Sequence, residues 1–163
     1  MTSVPQEYTI VALVQDRPGV LNRVSSMFRR RGYNIVSLAV GHSEKAGLSR
    51  MTFVVDCDDA TIDQVRKQLD KLIEVIEVTD MTGLASVTRE LALIKVASSP
   101  ETRSEIIQLV DIFRANIVDV TTDSVIIEVT GDENKVDSLL TLLEAFGIVE
   151  IMRTGRIAIP RGI

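Results

Sequence analysis

The sequence predicts an α+β fold of two βαββαβ units in tandem, each an antiparallel sheet with its helices on one face. Three observations predict it. Residues 8–80 and 90–153 each read as strand, helix, strand, strand, helix, strand. Both copies pass a Phe-Arg pair near the end of the first helix and then open a strand with Asn-Ile-Val. These are Phe28-Arg29 before Asn34-Ile35-Val36, and Phe113-Arg114 before Asn116-Ile117-Val118. The first copy holds three more residues between Phe and Asn, close to one extra helical turn. Units bounded at 6–80 and 88–163 follow.

Element by element, Tyr8 to Val14 is a nearly all-apolar run of strand length, as a central covered strand requires. It stops at Gln15-Asp16-Arg17-Pro18-Gly19, where Pro18 suits the first position of a helix. Val20, Leu21, Val24, Met27 and Phe28 repeat at helical spacing. Gly32 suits a left-handed helix end. Strands are predicted over 35–41 and 50–56, around a polar loop from His42 to Gly47. Asp58-Asp59-Ala60-Thr61 resembles an acidic cap, followed by a helix with the stripe Ile62, Val65, Leu69, Leu72 and Ile73. Val75 to Val78 makes the fourth strand, and Thr79 to Val87 reads as a short linker. The second copy repeats the order: strand 91–97, helix 106–113, strands 117–121 and 125–130, helix 136–146, strand 149–152. The tail from Arg153 to Ile163 reads as a surface strand or partner contact. This is the split βαβ, ferredoxin-like plan, which leaves one sheet face bare for a second copy.

Composition bounds the function. A unit of about 75 residues buries only about 60% of its unfolded surface, so packing on its twin or another chain is expected. The apolar fraction of 45% with 4% aromatics demands an aliphatic core. A net charge of −5 argues against nucleic acid, which needs a basic surface. The single Cys57 excludes an internal disulfide and, with no basic leader and no long apolar run, points to the cytoplasm or to a transit peptide already removed.

Catalytic constellations are absent from the pattern. His42 is the only histidine and has no partner at metal-ligand spacing, so it reads as a solvated loop residue. Cys57 lies between Asp56 and Asp58, which disfavour a thiolate. Asp58-Asp59 and Asp132-Glu133 are more simply caps than acid/base dyads. No phosphate loop or nucleophile elbow occurs.

One loop does carry binding chemistry. In Asp16-Arg17-Pro18-Gly19-Val20-Leu21 a strand runs into a helix N-terminus, where backbone N–H groups and the positive dipole end face outward. Gly19 lets a carboxylate approach the main chain, and Asn34 offers an amide donor and acceptor suited to a zwitterion. The second copy has Ser98-Ser99-Pro100-Glu101 instead, without Gly. A plain turn accounts for the same residues, and Asn116 supports that reading of Asn34, so from the loop alone both stand.

The turn Asp-x-Pro-Gly-x-Leu inside a βαββαβ unit resembles the ACT domain, an amino-acid-sensing module. Longer strings resemble the small regulatory subunits of acetohydroxyacid synthase (acetolactate synthase). They are Arg31 to Ile35 with Ser37-Leu38, Leu48 to Thr52, Lys67 to Leu69 with Lys71-Leu72, Arg89 to Val96, Ile112 to Ala115 with Asp119-Val120, and Arg153 to Gly155 with Arg161-Gly162. The resemblance covers essentially the whole chain. It implies a tandem ACT-type fold and a non-catalytic subunit. Such a subunit activates a separate thiamine-diphosphate-dependent catalytic subunit and confers feedback inhibition by a branched-chain amino acid, usually valine. It also implies homodimers paired through the first units, with the effector at that interface. By position the site is Asp16, Pro18, Gly19, Val20, Leu21, Asn34 and Ile35. Some family members have Asn where Asp16 stands; an acid repels the effector carboxylate but pairs with its ammonium. Cofactors of the chain itself are none; thiamine diphosphate, magnesium and flavin belong to the catalytic partner.

Competing readings are weaker. RNA-recognition modules share the topology, but Phe53 is the only ring in the third strand and the charge is negative. An acyl-phosphate hydrolase would use Arg17 with Asn34. An ACT sensor serving another enzyme is the nearest alternative.

Overall fold

The computed structural model describes residues 6–163. The chain forms two compact units, one running to Val87 and taking in Arg156–Ile163, the other Thr88–Gly155.

The first unit contains β1 (Gln6–Gln15), α1 (Val20–Arg31), β2 (Asn34–His42), β3 (Leu48–Cys57), α2 (Asp59–Asp70) and β4 (Val75–Asp80). Its sheet has the order β2-β3-β1-β4, all neighbours antiparallel. Alternation along the strands divides the side chains between two faces. Tyr8, Ile10, Ala12 and Val14 of β1 join Met51, Phe53 and Val55 of β3 on one face. There they meet Val24, Met27 and Phe28 of α1 and Ile62, Val65 and Leu69 of α2. Phe28 stacks on Phe53 with ring centroids 5.2 Å apart.

The second unit repeats this with β5 (Ser86–Ala97), α3 (Arg103–Ile112), β6 (Asn116–Val120), β7 (Ser124–Gly131), α4 (Glu133–Leu143) and β8 (Ile148–Arg153). Its strand order is β6-β7-β5-β8, with β9 (Ile157–Pro160) also pairing β5. Its core is Ala92, Ile94 and Val96 with Val125, Ile127 and Val129, under Ile106, Val110, Val136, Leu139 and Leu143. Arg153 ties β8 to its neighbours by pairing with the buried Glu90 and with Asp137 at 2.8 Å.

The repeat extends to irregularities. The second strand of each unit slips register at one place, between Ile35 and Ser37 and between Ile117 and Asp119, so Val36 and Val118 are the bulged residues. The three extra residues of the first unit lengthen α1. That helix runs to Arg31 and ends on Gly32 at φ 67°, whereas α3 ends at Ile112 and the left-handed position falls on Arg114 at φ 52°.

Several sequence expectations need correction. Pro18 is not the first helical residue, because Gly19 at φ 88° turns the chain and α1 starts at Val20. Ile73 does not belong to the stripe of α2, which stops at Asp70, and it is 81% exposed. The segment read as a linker is shorter and partly structural. β4 continues to Asp80, Met81 is buried and donates its N–H to Thr9 O at 2.8 Å, and Thr9 N–H bonds Thr82 Oγ1 at 3.0 Å. The tail does form the surface strand that the sequence suggested, β9, and its contacts group it with the first unit. Arg156 reaches Thr9 Oγ1 at 2.9 Å and Glu7 Oε2 at 3.0 Å, and Arg161 N–H bonds Ala85 O at 2.8 Å. The outer face of the first sheet is therefore not bare: Ala158, Ile159 and Pro160 bound a cavity of about 350 Å³ over Val11 and Leu13.

The cap residue Arg114 adopts a backbone conformation that costs a side-chain-bearing residue about 1–2 kcal/mol, partly offset by the chain entropy that Gly loses on folding. Arg114→Gly should therefore stabilise the chain by about 0.5–1 kcal/mol. A higher urea midpoint at unchanged slope is the measurement.

Candidate functional site

At the end of β1 the chain is held in a defined turn. Gln15 N–H bonds Glu74 O at 2.8 Å and Asp16 N–H bonds Gly47 O at 2.9 Å. Val20 N–H reaches back to Arg17 O at 3.4 Å, and Arg23 N–H bonds Gly19 O at 3.0 Å. Gly19 is the N-cap and has no side chain to offer, so α1 begins without a side-chain cap and without an acidic residue in its first turn. The N–H groups of Leu21 and Asn22 fall among those a helix cannot satisfy internally, and the positive end of the dipole lies there. Two other helices are closed by aspartate caps, and the third is preceded by a bonded Ser/Thr turn although its own N-cap Thr102 makes no side-chain cap bond. Asp58 accepts from Thr61 N–H at 2.8 Å and Asp132 from Lys135 N–H at 2.9 Å. Ser99 and Thr102 hydrogen-bond reciprocally before α3, with Ser99 N–H to Thr102 Oγ1 at 3.0 Å and Thr102 N–H to Ser99 Oγ at 3.3 Å.

The predicted site residues separate into two groups. Asp16 and Pro18 are exposed in the turn, Leu21 is 45% exposed on the helix, and Val20 is buried in the core, so Val20 can offer a ligand only its backbone. Asp16 pairs with His42 Nδ1 at 3.1 Å. His42 thus ends β2 rather than standing in a loop, and it remains largely exposed. Asn34 is exposed at the start of β2, opposite Asp56, and Ile35 packs against the first core. Since His42 lies opposite Ser49 and Asn34 opposite Asp56, the two groups sit at opposite ends of β2. Eight strand steps separate them by about 25 Å. Within one chain they do not meet.

Glu74 was not legible as a neighbour of the turn. Its backbone anchors Gln15, its carboxylate takes Arg23 at 2.7 Å, and its Oε2 is buried without a partner. An isolated acid at a strand entry carries no spacing signal, so only the fold reveals it. Arg17 bonds the side chain of Gln15. Cys57 is partly buried, and that burial, with Asp58 and then Asp56 adding to it, pushes its thiol up to about 11. Burial therefore leads, ahead of the acidic neighbours that the sequence emphasised. Among the described residues no group of three or more His, Cys, Asp and Glu is placed to hold a metal ion, and no helix is long and apolar enough to cross a membrane.

Two outcomes follow from this geometry. A Cβ on Gly19 meets open space, so Gly19→Ala should cost only the left-handed backbone strain of about 1–2 kcal/mol, read as a lower denaturation midpoint. Cys57 should alkylate slowly in the folded chain at pH 8, its rate climbing until about pH 11. The unfolded chain, with an ordinary thiol near 8.5, should react far faster at pH 8.

Comparison with known proteins now adds identity to geometry. Residues 10–77 match the family described as AHAS small subunit-like ACT domain, and residues 89–162 match Small subunit of acetolactate synthase. The chain is 56% identical over 156 residues to a probable acetolactate synthase small subunit of Archaeoglobus fulgidus, covering 96% of this chain and 98% of that protein. It is 51% identical to the acetolactate synthase small subunit of Bacillus subtilis, covering 94% and 90%. The crystal structure of the acetolactate synthase small subunit from Thermotoga maritima superimposes with a TM-score of 0.90 at 46% identity, covering 97% of this chain and 99% of that one. With both halves matched and the alignment running nearly end to end, the chain belongs to the family of acetolactate synthase small subunits, the non-catalytic members of that system.

Proposed function

We propose that this chain activates the thiamine-diphosphate-dependent catalytic subunit of acetolactate synthase and makes it sensitive to valine. The effector is held at a composite site between two first units. The observation that carries the reading is the open N-terminus of α1, uncapped and free of acid, behind Gly19. It suits the carboxylate of an amino acid, while Asp16 suits the ammonium.

Dimerisation supplies what one chain lacks. β2 is an edge strand of the first sheet. Two copies paired antiparallel through β2 bring the Asn34 end of one beside the His42 and Asp16 end of the other. The effector then lies between the Asp16–Leu21 turn of one copy and Asn34-Ile35 of its partner, twice per dimer. Such a ligand acts through differential affinity for two arrangements of the interface. Thiamine diphosphate, magnesium and flavin serve the catalytic partner, and the complex works in the cytoplasm.

The test uses Gly19→Ala and Gly19→Asp together. Both place a Cβ on a left-handed backbone, at a cost no greater for Asp than for Ala, but only the second puts a carboxylate where the effector carboxylate docks. Added to the catalytic subunit, wild type and Gly19→Ala should raise acetolactate formation and let valine lower it. Gly19→Asp should activate without a valine response. Retained valine inhibition with Gly19→Asp would refute the site. Sedimentation should show at least a dimer, and a compact monomer at micromolar concentration with and without valine would rule out the composite arrangement. Linkage sets the remaining expectation: the catalytic subunit changes valine affinity by the factor that valine changes subunit affinity, about 5–150-fold for couplings of 1–3 kcal/mol. Equal valine affinity with and without the partner, and no change in condensation rate, would transfer the reading to an amino-acid sensor for a different enzyme.

A further inference from the structure

The turn that lengthens α1 has an unexplained chemistry. Where the second unit goes from Phe113-Arg114 almost directly to Asn116, the first inserts residues that place Arg29, Arg30 and Arg31 in the last turn of α1. α2 ends alongside with Lys67 in its last turn and Lys71 as its C-cap. Neither α3 nor α4 has a basic residue in its last turn. Between the ends of α1 and α2 lies a cavity of about 260 Å³ lined by Met27, Arg30, Arg31, Gln68, Lys71 and Leu72.

The lining is one-sided. Arginine and lysine side chains donate only, Gln68 adds an amide that can turn its donors inward, and no carboxylate lines the cavity. Elsewhere in the described residues Arg23, Arg50, Arg66, Lys95, Arg153 and Arg156 pair with acids, and Arg17, Arg89, Arg103 and Lys135 bond neutral oxygens, none of them lining this cavity. Arg30, Arg31 and Lys71 have no acidic partner among the described residues, nor do Arg29 and Lys67. Complementing the helix dipoles accounts for only part of this charge. Two helix C-termini present about half a negative charge each, which leaves a positive surplus even after the neighbouring Asp70 is counted. Met27 is buried and Leu72 partly so, and this apolar floor lowers the local dielectric and strengthens attraction to an anion. A concave site this small fits a compact ligand.

We infer that the extra turn of α1 builds an anion-binding site in the first unit, where Arg30, Arg31 and Lys71 take a compact multivalent anion of the phosphate class. The two guanidinium groups match phosphate oxygens bidentately and the ammonium adds a point charge. This pocket is independent of the amino-acid site proposed above and involves none of its residues.

The experiment titrates the full chain with inorganic tripolyphosphate at fixed ionic strength by calorimetry, alongside the Met27 methyl resonance. Wild type should bind one anion per chain and shift that methyl. Arg31→Gln and Lys71→Gln should each weaken binding about tenfold, as expected for loss of one charge-assisted hydrogen bond. Arg66→Gln, which removes the same charge from a paired position on α2, should bind as wild type does. Lack of saturable binding, or equal weakening by Arg66→Gln and Arg31→Gln, would overturn the site. A nucleoside triphosphate titrated in parallel separates sources. Affinity equal to that of tripolyphosphate makes the phosphates sufficient, and tighter binding adds an apolar contact at Leu72; both uphold the site.

Discussion

Everything in the first unit hangs on β1 being buried on both of its faces. Seven consecutive residues, Tyr8 to Val14, are buried. Even-numbered ones face the helices, while Val11 and Leu13 face the segment that returns from the C-terminal end. A slip of one residue would exchange the two sets, placing Thr9, Val11 and Leu13 against α1 and α2. The register with β3 and β4 is thereby fixed, and with it the point where the strand must stop and turn at Asp16. β5 lacks this double cover: Leu93 on its outer face is 39% exposed, against 3% for Leu13.

The two units keep the same skeleton and differ where chemistry is available. Bulges, register shifts and core positions recur in both. The differences gather at helix ends. One first helix opens on a bare glycine turn while its counterpart follows a turn that Ser99 and Thr102 bond reciprocally; one is extended by a basic turn while its counterpart stops on a strained arginine. Helix ends are where backbone groups lack internal partners, so duplication can alter function there without disturbing either core.

The duplicated order of elements and most of the cores were legible, because strand alternation and helical spacing in these aliphatic stretches are strong signals. Gly32 as a left-handed helix end was legible too, since few residues other than glycine take that conformation. Gly19 was harder. Pro18 before it fits a helix start equally well in sequence, and only the positive φ moves that start to Val20. The place of the tail was not legible at all. Arg156 finds Glu7 and Thr9 across more than half the chain, and no local pattern encodes a pairing at that separation. The turn residues were legible as a group, but their distance from Asn34 needed the strand pairing.

The discontinuity of the first unit has a consequence for the order in which the protein is made. Domains generally fold as units as the chain leaves the ribosome, N-terminal first. Here the N-terminal unit emerges first and is completed last, because residues 156–163 follow the whole second unit. Until then Val11 and Leu13 line an uncovered sheet face. The nascent chain therefore carries an exposed apolar surface throughout synthesis of its second half, the interval in which a chaperone or a second nascent copy would find it.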